Sequence, residues 1–208
     1  MTTSILYVFP HPDDESFGPA AAIVAQRRAG HRVELLTLTR GGATKVRHQL
    51  GLSVEQMGAV RAREMGAMAR ALDLSDLTIL DLPDGGLADL APQVIEDAVR
   101  EELVGRRPEV VVTYPVHGIS GFADHLVTHA VVKRVCCELA REGADWLRRL
   151  AFHTLAEAPE ESPGRGIRLT TSKPEAIDCV VEVGDDEIAA QRRALAAYET
   201  YREVIEEI

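Results

Sequence analysis

A doubly wound, Rossmann-like α/β fold, with a mostly parallel sheet and helices on both faces, is predicted by three features of the sequence. Apolar runs alternate with amphipathic stretches along the chain, in the β-α-β-α order such sheets require. Apolar residues make up 46% of the chain but aromatics only 4%, so the core must be built from Val, Leu, Ile and Ala, as in sheets buried on both faces. The 208 residues suit one domain, 1–208, and no repeat, low-complexity tract or interdomain linker divides them.

The elements follow in order. Residues 4–10 read as a first buried strand, stopped by Pro10 and Pro12. Residues 17–29 carry helical spacing and end at Gly30, a C′ glycine. Val33 to Thr39 is a second strand, closed by Gly41-Gly42. A long helix over 54–72 opens with Ser53 as N-cap and Gln56 three residues later, a capping box. Leu77 to Leu80 is a short third strand before the turn Pro83-Asp84-Gly85-Gly86, and Pro92 starts a helix over 92–105. Residues 108–114 form a fourth strand, and a loop through Gly121 leads to a helix over 124–142. Residues 148–155 and 177–183 read as strands joined by a polar loop with Glu160, Glu161, Pro163 and Gly164, one of them free to run antiparallel. A helix over 185–207 ends the chain.

The net charge of −10 argues against nucleic acid, whose phosphates demand clustered Lys and Arg. It reads instead as a solubility feature. Cys136, Cys137 and Cys179 are odd in number and lack metal-type spacing, so buried thiols in a reducing compartment are expected. No apolar stretch approaches the ~20 residues of a membrane span, and Met1-Thr2-Thr3-Ser4 runs into the first strand without a basic leader. A cytoplasmic protein is the expectation.

In doubly wound sheets, ligands bind beyond the carboxyl ends of the strands. After the first strand, His11-Pro12-Asp13-Asp14-Glu15 crowds four ionisable side chains into five positions. Adjacent carboxylates at a partly buried site repel and lose hydration. A divalent cation resolves that conflict, because imidazole and carboxylate are both good ligands for it. His11 and Asp14 are spaced to converge on one ion, which leaves Asp13 free to act on a water. The same cluster also suits the N-terminus of a helix, where acidic side chains face the macrodipole.

After the fourth strand come His117, Asp124, His125 and His129. His125 is placed to supply a third ligand, which would leave the open position of a catalytic metal site. Asp124 suits an orienting role behind a ligand. His125 and His129 share a helix face, but Leu126 stands where an H-E-x-x-H site has its glutamate. His129 is then either pocket wall or core. His31, His48 and His153 read as ordinary. Thr39 to Lys45 lacks the spacing of a phosphate loop, and no glycine fingerprint follows the first strand, so nucleotide binding is not expected.

The chain resembles the PIG-L/LmbE family of zinc-dependent de-N-acetylases. The resemblance rests on His11-Pro12-Asp13-Asp14-Glu15, the Arg61 to Glu64 segment, Leu82-Pro83-Asp84-Gly85-Gly86-Leu87, Asp124-His125 and Ala197-Tyr198-Glu199, all in the family's order. It implies His11, Asp14 and His125 as zinc ligands, with Fe2+ or Co2+ as possible substitutes. It implies Asp13 as general base on a metal-activated water, and Arg61, at the pocket rim, and Asp84 as substrate-binding residues. One departure concerns catalysis: Phe122 stands where the family carries a histidine that steadies the oxyanion or acts as acid, and Phe can donate neither hydrogen bond nor proton. His117, and next His129, are the candidates to replace it. The alternative is a metal-binding member with weak or no catalysis, acting as a binding module. The implied reaction is hydrolysis of the amide of a small N-acetylated sugar or thiol conjugate. Loops 40–52, 115–123 and 156–175 would set specificity, and the oligomeric state stays open, a homo-oligomer included.

Overall fold

The computed structural model describes residues 2–157 and 169–206; the expected loop at Glu160, Glu161, Pro163 and Gly164 lies outside them. Five strands, β1 (Ser4–Phe9), β2 (Arg32–Thr39), β3 (Asp76–Leu82), β4 (Val110–Thr113) and β5 (Arg149–Phe152), form one sheet in the order β3-β2-β1-β4-β5. All pairings are parallel. The α/β class and the doubly wound topology expected from the sequence are both present.

Side-chain alternation along the strands separates two apolar layers. Ile5, Tyr7, Phe9, Val33, Leu35 and Val112 face α2 (Ala20–Arg28), α4 (Val54–Ala71) and α7 (Asp185–Ala196). Leu6, Val8, Leu36, Leu38 and Val111 face α5 (Pro92–Arg106) and α6 (Ala123–Arg141). The capping box of Ser53 and Gln56 is formed at the start of α4, and Pro92 occupies the first turn of α5. Among the described residues no helix is long and apolar enough to cross a membrane.

Four expectations need correction. The stretch 177–183 forms no strand and pairs with nothing in the sheet; Val180 is 77% exposed. Its β-branched residues have the right propensity, but propensity reports fit to a pleated partner surface, and among the described residues this stretch docks on none. The helix expected over 17–29 is broken at Gly18-Pro19 into α1 (Asp14–Phe17) and α2, because proline drives the preceding residue out of helical geometry. The last helix stops at Ala196, and Tyr198 leaves helical geometry at ψ 70° to enter the core, before the short α8 (Arg202–Glu206). Of the cysteines only Cys136 is buried: Cys137, one position on around α6, faces solvent, and Cys179 lies in the unpaired extended stretch.

His153 follows β5, its backbone N–H donating to the Thr113 carbonyl at 2.8 Å. Its imidazole packs on Gly18, and Nε2 has no partner among the described residues. Burial pushes this imidazole down to about 4. The folded state therefore binds fewer protons than the unfolded one between pH 6.5 and 4, and stability falls as pH drops through that window. Wild-type protein should lose ~2 kcal/mol more than His153→Met between pH 7 and pH 5, as read by urea denaturation at both values.

Candidate active site

The strand order reverses at β1, between β2 and β4, and the carboxyl ends of β1 and β4 flank the crevice where such folds bind ligands. His11, Asp13 and Asp14 follow β1, and His125 sits in the first turn of α6 after β4. Residues far apart in sequence converge: one ligand atom each from His11, Asp14 and His125 lies within 4.8 Å of the others.

Each of these side chains is held from behind. Asp124, 3% exposed, accepts from His11 Nε2 at 3.0 Å and from the backbone N–H groups of Gly85 (2.8 Å) and Leu87 (3.1 Å). Asp124 takes the Nε2–H of His11, and Nδ1 faces Asp14 at 3.6 Å. His125 Nδ1 donates to the Gly118 carbonyl at 2.9 Å, leaving Nε2 3.4 Å from Asp14 Oδ1. Gly118 has φ 62°, and a Cβ there would stand 2.9 Å from that of His125, so glycine is required. The Tyr114 hydroxyl donates to Asp14 Oδ1 at 2.7 Å, and its ring stacks on His125 at 4.2 Å between centroids.

The electrostatics favour a cation. Burial pushes the His11 imidazole down, but the carboxylates of Asp124, Asp14 and Asp84 outweigh it and raise it to about 10. Burial alone would raise Asp14, yet His125, His11 and the Tyr114 hydroxyl hold it below the usual carboxylate range. A second group of carboxylates, Asp84 and Asp124, also closes on His11. This donor set, two imidazoles and a carboxylate backed by further acids, fits a divalent transition metal.

Asp13 lies beside the group at φ 82°, a left-handed conformation that Asp tolerates better than most residues. Burial raises its carboxyl to about 6 against the pull of Arg61. Arg61 is not at a pocket rim, as expected from the sequence, but 2% exposed behind Asp13. Its Nη2 donates to Asp13 Oδ2 at 2.5 Å and to the Pro12 carbonyl at 2.9 Å, and Nη1 donates to the Gly41 carbonyl at 3.3 Å. Gly41, at φ 64°, leaves the room this requires: a Cβ would sit 2.6 Å from Nη1. Asp84 accepts from the Ala43 N–H at 2.6 Å and lies 3.4 Å from His11 Nε2, so it ties loop 40–45 to the group.

His117 and His129 belong to neither imidazole–carboxylate group among the described residues. His129 Nδ1 donates to the Tyr114 carbonyl at 2.8 Å, and its ring packs on Phe152. His117 Nδ1 accepts from the Ile119 N–H at 3.1 Å, so its proton sits on Nε2, which is buried without a partner among the described residues. Burial, then His129, lower its imidazole from the ordinary range. Phe122 is 52% exposed and meets the His125 ring edge-on at 5.6 Å.

A family model described as PIG-L, GlcNAc-PI de-N-acetylase, matches residues 6–136, from β1 through most of α6. The chain belongs to the PIG-L family. It is 33% identical over 167 residues, 67% of this chain and 46% of the relative, to the 1D-myo-inositol 2-acetamido-2-deoxy-alpha-D-glucopyranoside deacetylase of Kineococcus radiotolerans. It spans about half the length of the first curated relatives it matches. Among solved structures, a deacetylase of the teicoplanin biosynthesis pathway superposes with a TM-score of 0.70 at 17% identity, covering 97% of this chain and 86% of that one. The N,N'-diacetylchitobiose deacetylase of Pyrococcus horikoshii does so at 0.63 and 16% identity, covering 97% and 74%. At such identities the structural likenesses speak for the fold.

Within this PIG-L chain, two long-range contacts beside the site could not be read from the sequence. Tyr114 reads as the last residue of a buried strand, and its hydroxyl reaches Asp14 across 100 positions. Tyr198 lies in a motif noted in the sequence, but its partner, the buried Glu15, does not follow from spacing.

Proposed function

We propose that this chain is a metal-dependent hydrolase, with zinc as its metal, that removes an N-acetyl group from an amino-sugar or a related small conjugate. The observation that carries the proposal is the convergence of His11, Asp14 and His125 beside Asp13 at the β1/β4 crevice. The family match and the relatives named as deacetylases of acetamido-sugars support the reaction class.

His11, Asp14 and His125 would hold the metal, and zinc there supplies Lewis acidity to the amide carbonyl and to water. Asp13 takes the proton of the attacking water and returns it to the departing amine, one residue serving both steps. Asp124 and the Gly118 carbonyl orient the two imidazoles. Asp84, beside His11 and loop 40–45, is the residue to which we assign hydrogen bonds from substrate hydroxyls. The exposed thiols of Cys137 and Cys179 suit a reducing, cytoplasmic setting.

The rival reading is a metal-binding protein with weak or no turnover, and Phe122 is the observation that favours it. His117 is our candidate to meet that objection: its buried Nε2–H has no partner among the described residues, and such a donor calls for an acceptor. His117→Ala should lower kcat by roughly 10²-fold, the usual effect of losing one oxyanion donor. Adding Phe122→His to that variant should restore most of the loss. A double variant no better than His117→Ala would remove His117 from this role.

Metal content and hydrolysis of N-acetylglucosaminyl conjugates, measured on one sample, test the proposal directly. Bound zinc with turnover is expected. Failure to take up any divalent ion when zinc is supplied would end it, whereas metal uptake without turnover across a broad panel would establish the rival.

A further inference from the structure

Beyond the stretch matched by the family model, residues 198–201 return to the underside of the candidate site. The Tyr198 hydroxyl donates to the buried Glu15 at 2.7 Å. Thr200 gives both its backbone N–H and its hydroxyl to the Glu64 carboxylate, each at 2.8 Å. Glu64 lies three residues after Arg61 on α4. The ring of Tyr201 then lies 4.2 Å from the centre of the Arg61 guanidinium, and its hydroxyl donates to Thr44.

We propose that Tyr201 is a positioning residue for the reaction: its ring, stacked on the Arg61 guanidinium, holds that group in register with Asp13 and the Pro12 carbonyl. This rests on the reading of Asp13 as the base. A guanidinium is a rigid planar fork whose edge donates and whose face stacks. Here the edge is committed to Asp13, Pro12 and Gly41, and three edge contacts fix the fork in its own plane. They leave the long side chain free to tilt out of that plane. The Tyr201 ring removes this freedom from one face. Asp13 gains from such support, since its left-handed backbone, though tolerated by Asp, is sparsely populated. The C-terminal segment thus reaches the base through two side chains, Tyr201 and Arg61.

The test compares Tyr201→Leu with Tyr201→Phe, reading kcat, KM, bound metal and hydrogen exchange of segment 10–17. Tyr201→Leu should lower kcat about tenfold, as small displacements of a reacting group do, with KM and metal content unchanged and faster exchange in 10–17. Tyr201→Phe keeps the ring and gives up only the bond to Thr44, so it should restore both readouts. Equal values for the two variants would overturn the proposal. Should Tyr201→Leu not fold, Glu64→Leu, which removes the acceptor of both Thr200 bonds, should shift both readouts in the same direction; wild-type values there would overturn it. A wild-type chain that hydrolyses no acylated amino-sugar would defeat the hydrolase reading instead, and the exchange comparison alone would then decide the role of Tyr201.

Discussion

Asp13→Asn should lower kcat by roughly 10³-fold, within the range a positioned acid–base group contributes, while KM and bound metal stay close to wild type. Asn is the informative replacement for a backbone reason. Residue 13 sits at φ 82°, and Asn is among the few side chains that accept this conformation without much strain. Alanine there would combine loss of the base with backbone strain. The Asn carbonyl oxygen can still accept from Arg61, so the clamp behind the residue survives and only basicity is lost. Steady-state kinetics with metal analysis of the same preparation check the result. A variant as active as wild type would assign the proton transfer elsewhere, and a variant that lost its metal would show Asp13 to be a ligand.

What the sequence made legible follows from the range over which each cause acts. The strands β1 to β4 and the long helices are specified locally, by apolar periodicity, a capping box and a first-turn proline, and they stand within a few residues of expectation. The group proposed to hold the metal was legible because its members flank the ends of two central strands, where the topology brings them together. The errors arise where a distant contact overrides a local pattern. Tyr198 breaks a helical run because Glu15, 183 positions away, holds its hydroxyl. Arg61 is expected at the pocket rim, but the loop after β1 folds over it. The stretch 177–183 has strand composition but pairs with no strand among the described residues.

Chelation should abolish hydrolysis and lower the melting temperature by roughly 10 °C, both recovered with zinc. The size follows from linkage: a ligand at a thousand times its Kd adds ~4 kcal/mol to the folded state, and for a chain of this size each kcal/mol shifts Tm by about 2–4 °C. The direction follows from the charges. Asp14, Asp84 and Asp124 all lie within 3.6 Å of the His11 ring nitrogens, and Asp13 precedes Asp14 directly in sequence. Without a metal their repulsion is offset mainly by protonating His11, itself buried. His125→Gln removes one ligand but leaves that crowd in place, so its melting should match chelated wild type and ignore both chelator and zinc. A wild-type chain whose melting does not respond to chelator would mean that the acids are balanced by Arg61 and the imidazolium of His11 alone. The convergence of His11, Asp14 and His125 would then be an ion-pair network, and the site would need a different chemistry.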